Sequence, residues 1–175
     1  MLIMKKDFAA PILVLTIICL IISGALAFTN SVTAPIIASA ATQREEEARY
    51  EMIPEAEDFE LVTVEGLPST IKDVYRSTND VGYIFMISTS GYGGDVRIIC
   101  AIDAGGKIIR SMAIEQTETK GLGARIAEPT FAGQFDGADS SLSGVVAITG
   151  ATISSTAYIN AIKDAFTAFE LVVGK

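Results

Sequence analysis

The feature that most restricts how this chain can fold is an uncharged run of twenty residues near its N-terminus, Ala9 to Phe28. A helix of that length rises about 30 Å, enough to cross the hydrocarbon core of a bilayer. The length favours an uncleaved transmembrane anchor, because the apolar region of a signal peptide spans only about 7–15 residues. A cleaved signal peptide stays open as the alternative, since Ala25 to Ala27 resembles a small-residue cleavage site.

The charges that flank this run predict its orientation. Lys5 and Lys6 precede it, whereas the residues directly after it are uncharged. By the positive-inside rule, the N-terminus lies in the cytoplasm and the C-terminal bulk lies outside the membrane. The predicted layout is a cytoplasmic N-terminus over 1–8, a transmembrane helix over 9–28, a juxtamembrane helix and linker over 29–57, and a folded domain over 58–175.

Composition excludes several classes of function. A net charge of −8 argues against a nucleic-acid partner, because phosphate binding requires many Lys and Arg side chains. The chain has no histidine and two cysteines, which excludes a Cys/His zinc site and a Ser-His-Asp triad. Cys19 lies in the apolar run, so a disulfide with Cys100 is not expected, and Cys100 is interpreted as a buried structural thiol. No catalytic or metal-binding residue is predicted, and the chemistry must come from carboxylates, hydroxyls or a bound cofactor.

The part of the chain that follows the apolar run begins with a charged, helix-favouring stretch from Thr42 to Met52. Thr42 and Glu45 have the spacing of a capping box, which predicts that a helix starts here. Pro54 is expected to end it, because proline cannot continue the hydrogen-bond ladder of a helix.

The remainder predicts an α+β domain. Strand-like runs joined by glycine turns are typical of an antiparallel meander, and they cover 59–64, 73–76, 83–88, 96–103 and 107–115. A C-terminal helix follows, with one apolar face made by Tyr158, Ile162, Ala165, Phe166 and Phe169. A sheet with helices at either end predicts helices that pack on one face of the sheet.

The segment from Ala147 to Thr156 is the strongest candidate for a functional site. It begins with a strand-like stretch, continues through small residues and ends in a cluster of hydroxyl side chains. Gly150 lets the backbone and a large ligand approach closely. Ser154 or Ser155 is the expected N-cap of the terminal helix. Unpaired N–H groups at a helix start suit a phosphate, although Ser and Thr before a helix more often serve only as caps.

The run Thr149-Gly150-Ala151-Thr152 resembles the Ser/Thr-Gly-Ala-Thr flavinylation motif of FMN-binding domains. Such domains occur in the G subunit of the Rnf ferredoxin:NAD oxidoreductase and in the C subunit of the Na-translocating NADH:quinone reductase. The resemblance extends over nearly the whole chain, and chain length and the Gly-Tyr-Gly-Gly loop favour the Rnf G subunit. Besides the anchor, the charged helix and the terminal helix, it includes Gly91-Tyr92-Gly93-Gly94, the segment 118–123 and the stretch from Phe131 to Phe135.

The resemblance implies specific roles for residues of the domain over 58–175. Thr152 is the residue whose hydroxyl is esterified by the FMN phosphate, a bond installed by a separate Mg-dependent flavin transferase. The recognition corner is formed by Thr149, Gly150 and Ala151. The segment that lies against the flavin ring corresponds to Glu118, Thr119, Leu122 and Gly123. Val146 departs from the pattern, because Asp is common at that position in the family.

The implied function is that of an electron-relay subunit in a membrane ion-translocating complex, with the flavin domain on the extracellular or periplasmic face. Its expected partners are other subunits of the complex, a flavin transferase during maturation, and membrane lipid. Two alternatives stay open. One keeps the flavin but places the chain in a quinone-reducing or extracellular electron-transfer system. The other is a non-redox, membrane-anchored assembly domain, which would leave the Thr-Gly-Ala-Thr corner unexplained.

Overall fold

A computed structural model describes residues 3–174, with side chains described from Ala9 onward. The chain divides into two compact units, one up to Arg44 and one from Glu45 onward. The first helix, α1, runs without interruption over Ile3–Met52. The predicted helix start at Thr42 is therefore wrong: the Thr42 hydroxyl donates to the carbonyl of Ala38 (3.2 Å) inside the helix instead of capping it. The end at Met52, ahead of Pro54, is as predicted.

The N-terminal part of α1 is an exposed apolar helix. It is long and apolar enough to cross a membrane, and its most hydrophobic stretch is not buried inside the protein. Leu20 and Leu26 are 68% and 70% exposed. An apolar helix with a paired backbone and no protein around it matches a lipid environment, because hydrocarbon requires internal satisfaction of every backbone polar group.

The second unit contains a five-stranded antiparallel sheet in the order β1-β2-β3-β4-β5, which confirms the predicted meander. The strands are β1 Phe59–Leu61, β2 Ile71–Ser77, β3 Gly82–Ser90, β4 Asp95–Asp103 and β5 Ile108–Gln116. Strands β3 and β4 pair in unbroken register from Gly82 opposite Asp103 to Ser90 opposite Asp95. The glycine-rich segment between these two strands is consequently placed at the end of the central hairpin.

A long C-terminal helix, α3 (Thr152–Val173), covers one face of the sheet. The predicted apolar face is confirmed: Tyr158 and Ile162 are fully buried, and Phe169 packs edge-on against Tyr83 and Phe85. Between β5 and α3 the chain forms two short 3-10 turns over Gly123–Ala127 and Gly133–Phe135, with helix α2 (Pro129–Ala132) between them. These pieces place Phe131 and Phe135 in the same core as α3.

The opposite face of the sheet is also covered, so the prediction that helices pack on one face only is wrong. The end of α1 contributes Ala48 and Met52, together with the adjacent Ile53, to a second apolar cluster. This cluster contains Ile84 and Met86, which alternate along β3 with the residues that face α3. Strands with both faces buried have continuous apolar runs, as in Ile84 to Ile87. The sequence of such a run does not indicate which helix covers which face.

Candidate functional site

The corner before α3 is formed by Gly150, whose φ of 84° lies in the left-handed region that favours glycine. The amide of Ala151 donates to the carbonyl of Ile148 (3.0 Å), and the helix begins at Thr152. Ala151 is the N-cap residue and no side chain caps the helix, so the prediction of Ser154 or Ser155 as N-cap is wrong. The first turn of α3 therefore presents backbone N–H groups without a capping side chain, an arrangement suited to an anion.

The two serines have other partners inside the first turns of α3. The hydroxyl of Ser155 donates to the carbonyl of Ala151 (2.8 Å) and accepts from the amide of Ile148 (3.2 Å). Ser155 thereby ties the corner to the helix. Ser154 is buried, and its hydroxyl donates to Oε2 of Glu118 (2.7 Å), a residue 36 positions earlier in the chain.

Glu118 joins three segments of the chain at this point. It is 6% exposed, and its Oε1 accepts from the backbone amides of Tyr92 (2.7 Å) and Gly93 (3.1 Å). Its other oxygen accepts from Ser154. A Cβ atom at Gly91 or Gly123 would collide with this carboxylate, which is why both positions require glycine. We call the Glu118 carboxylate, the two amides and the Ser154 hydroxyl the carboxylate bracket.

The carboxylate bracket forms part of the wall of a cavity of about 410 Å³. That volume is within the usual range for small-molecule sites. The large exposed apolar side chains at the cavity are those of Tyr92 (73%), Leu122 (51%) and Ile153 (58%), and they give it an apolar rim. The lining residues are Tyr92, Glu118, Thr119, Leu122, Gly123, Gly150, Ala151, Thr152, Ile153 and Ser154.

The cavity brings together all but one of the residues singled out in the sequence. Thr149 does not line it; this side chain lies instead at a neighbouring depression of about 320 Å³. Sequence reasoning assigned no place in a ligand cavity to Ile153, Ser154 or the tyrosine of the glycine-rich loop. Tyr92 could have been found from its position inside that loop, whereas the contact of Ser154 with Glu118 has no local signal.

The backbone just before the corner is fixed by a side-chain amide. Oε1 of Gln134 accepts from the amide of Val146 (2.9 Å). Nε2 of Gln134 lies 3.5 Å from the carbonyl oxygen of Val146. The Val146 side chain is 67% exposed and lines the same depression as Thr149. The position that departs from the flavinylation pattern is therefore an accessible surface position beside the Thr149-to-Thr152 run.

The chemistry of the cavity fits a ligand such as FMN. The uncapped helix start offers donors to a phosphate, and Thr152 is an exposed, cavity-lining residue at the same end of the helix. The apolar rim is suited to a flat aromatic ring. Glycines at positions 91, 123 and 150 remove side chains that would otherwise fill or distort the wall.

Comparison with known proteins agrees with this geometry. Residues 91–167 match the FMN-binding domain family. The G subunit of an ion-translocating oxidoreductase complex from Methanosarcina acetivorans is 33% identical over 92% of this chain and 94% of its own length. The G subunit of the Na(+)-translocating ferredoxin:NAD(+) oxidoreductase complex of Acetobacterium woodii is 34% identical, over 83% of each chain. The corresponding protein of the proton-translocating complex of Clostridium ljungdahlii is 29% identical over 86% of this chain and 85% of its own length.

Fold, cavity and matches define the chain as a membrane-associated electron-transfer flavoprotein subunit with an FMN-binding domain. More specifically, the chain belongs to the family of G subunits of Rnf-type ion-translocating oxidoreductase complexes. Other subunits of such a complex are its partners. The alternative of a non-redox assembly domain is thereby set aside.

Proposed function

We propose that this chain relays electrons within an ion-translocating ferredoxin:NAD oxidoreductase complex, and that FMN is bound covalently through a phosphoester to the hydroxyl of Thr152. The observation that carries the covalent attachment is the position of Thr152. It is the first residue of α3, it is exposed, and it lines the cavity directly after the Gly150-Ala151 corner. A hydroxyl on the first residue of this helix is close in the chain to the uncapped backbone amides that suit a phosphate, which supports the attachment.

Attachment requires a separate flavin transferase, and the composition of the site supports this. The transferase must supply the FMN phosphoryl group from an activated donor such as a flavin dinucleotide. The bond from Oγ1 of Thr152 to phosphorus forms, the P–O bond to the departing nucleoside monophosphate breaks, and the hydroxyl proton is taken up by a base. Among the cavity-lining residues that the structure describes, Glu118 is the single carboxylate, and both of its oxygens already accept hydrogen bonds. Since the chain also has no histidine, the cavity lining that the structure describes offers Thr152 no free general base.

Once bound, FMN supplies the redox chemistry, and the protein positions it and controls its surroundings. Leu122 and Tyr92 offer apolar and aromatic surface to a ring, while Gly150 allows close approach of the backbone. The exposed rim leaves room for a partner subunit to bring its own redox group close. Covalent tethering keeps the cofactor at a high local concentration on a side of the membrane where a free one would be diluted.

The proposed orientation puts the N-terminus in the cytoplasm and the FMN domain on the extracellular or periplasmic face. Lys5 and Lys6 before the apolar part of α1 support it. The exposed apolar surface of that part supports contact with lipid and with partner helices.

The attachment is tested by flavin fluorescence in a denaturing gel after expression of the full chain with a flavin transferase. We expect wild type to fluoresce and Thr152→Ala to be dark. Thr156→Ala is the matched control, because it removes the same hydroxyl from an exposed threonine one turn later in α3 and should fluoresce like wild type. Equal fluorescence of Thr152→Ala and wild type would place the flavin elsewhere, and a dark wild type would contradict covalent attachment.

A further inference from the structure

The carboxylate bracket carries a charge that attachment of the cofactor does not explain. Glu118 is almost completely buried, yet no Arg or Lys in the described part of the chain forms an ion pair with it. Its hydrogen-bond partners are two backbone amides and one hydroxyl. Both carboxylate oxygens accept, which is the pattern of an ionised carboxylate, and none of the three donors carries a positive charge.

This charge is held in a fixed place. The amides of Tyr92 and Gly93 belong to the loop between β3 and β4, and Ser154 belongs to the first turn of α3. Glycines at positions 91 and 123 pack so closely on the carboxylate that even a methyl group would displace it. Glu118 therefore cannot swing away to solvent without breaking contacts with both segments, and its charge stays in the cavity wall.

We propose that Glu118 is a positioning and tuning residue whose fixed negative charge lowers the reduction potential of the FMN held in this cavity, and that the Ser154 hydroxyl partly offsets the effect. The proposal rests on the proposed function, since it concerns the flavin at that same site. Electrons delivered by a redox partner add negative charge to a cofactor unless protons follow, and a nearby carboxylate raises the free energy of the reduced form. The interaction is stronger in a buried wall than in water.

The structure offers a substitution that removes the charge and keeps the contacts. In Glu118→Gln, the side-chain oxygen still accepts from the amides of Tyr92 and Gly93. The new NH₂ group donates to the Ser154 hydroxyl, which is free to turn and accept. Ser154→Ala does the converse: it keeps the carboxylate and removes the one hydroxyl that donates to its second oxygen.

The test is a redox titration of the detergent-solubilised full chain after expression with a flavin transferase, followed by flavin absorbance. For Glu118→Gln we expect a rise in potential equivalent to about a tenfold change in the equilibrium constant of reduction, or about 30 mV for a two-electron couple. For Ser154→Ala we expect a smaller shift in the opposite direction. Glu60→Gln is the matched control, because it removes one exposed carboxylate from β1, at the far edge of the sheet, and should leave the potential unchanged.

The two directions separate tuning from a merely structural role. If the carboxylate bracket acted only through structure, neither the lost charge in Glu118→Gln nor the lost donor in Ser154→Ala would matter electrostatically, and shifts of opposite sign would not be expected. Shifts of the same sign, or a potential in Glu118→Gln equal to that of wild type, would overturn the inference and leave the proposed function standing. If Glu118→Gln fails to take up flavin, Ser154→Ala decides alone: an unchanged or raised potential overturns the proposal. A wild type without flavin would instead contradict the proposed function.

Discussion

Tyr158 carries a polar group into the apolar core under α3. Its ring packs against Phe131 and Phe135 at centroid distances of 5.4 and 5.2 Å, and its hydroxyl donates to Oγ of Ser111 (3.0 Å). Both polar groups are buried. The two hydroxyls are hydrogen-bond partners. The cost of removing one hydroxyl therefore depends on whether the other is left buried without a partner.

We therefore expect Tyr158→Phe to lower the free energy of unfolding by about 1–2 kcal/mol, because the Ser111 hydroxyl is left without its partner. The double variant Tyr158→Phe/Ser111→Ala should recover part of that loss, since it removes the stranded hydroxyl too. Urea denaturation followed by circular dichroism would compare the three proteins. A double variant less stable than either single variant would show that the hydroxyl pair is not the main contribution.

Cys100 makes stability depend on alkaline pH. Burial raises the pKa of its thiol above the ordinary 9.0, and burial likewise raises the pKa of Tyr158 above 10.0. As pH rises above the ordinary pKa of the thiol, the unfolded chain releases the thiol proton and the folded chain keeps it, so the unfolded state gains stability. The expected loss is up to about 1.4 kcal/mol per pH unit for one group.

Cys100→Ala should consequently flatten the fall of melting temperature between about pH 9 and 10, a range that lies above the ordinary pKa of the thiol and below that of tyrosine. The quantity to compare is the slope against pH, because the smaller side chain lowers the melting temperature itself at every pH. Equal slopes in the variant and in wild type would mean that another group governs alkaline unfolding.

At the scale of elements, local patterns predicted what depends on local interactions. Glycine turns and apolar runs predicted the five strands, and the apolar face centred on Ile162 predicted α3. The predicted helix start at Thr42 was wrong because Thr42 and Glu45 have the spacing of a capping box but lie inside the longer helix α1. The N-cap of α3 was misread because Ser154 bonds Glu118, a partner that only the folded chain brings near.

The end of α1 offers a test of how the second apolar cluster stabilises the sheet. Met52 is 1% exposed and packs in that cluster, while the neighbouring Glu51 is exposed. Met52→Ala should lower the free energy of unfolding by about 2–5 kcal/mol through lost apolar contacts and the cavity left behind. The control Glu51→Ala should change it by no more than about 0.5 kcal/mol. Similar effects of the two substitutions in urea denaturation would show that this face of the sheet adds little.

At the scale of the whole molecule, one chain must satisfy two solvents. The exposed apolar part of α1 has the length and composition suited to lipid, whereas the charged groups, which give the whole chain a net charge of −8, favour water. The orientation of such a chain is decided by few charges, because only Lys and Arg close to the span count strongly. Here those are Lys5 and Lys6 on one side.

Labelling of single cysteines with a membrane-impermeant maleimide would test this orientation in intact cells. Cys100 is fully buried and does not compete for reagent, and Cys19 lies within the apolar span and is replaced by alanine in both variants. Ser140→Cys, at an exposed loop position of the FMN domain, should be labelled in intact cells. Met4→Cys, ahead of the span, should be labelled only after the membrane is permeabilised. The reverse pattern would place the FMN domain in the cytoplasm. Electron transfer at the outer face would then have to be carried out by another subunit.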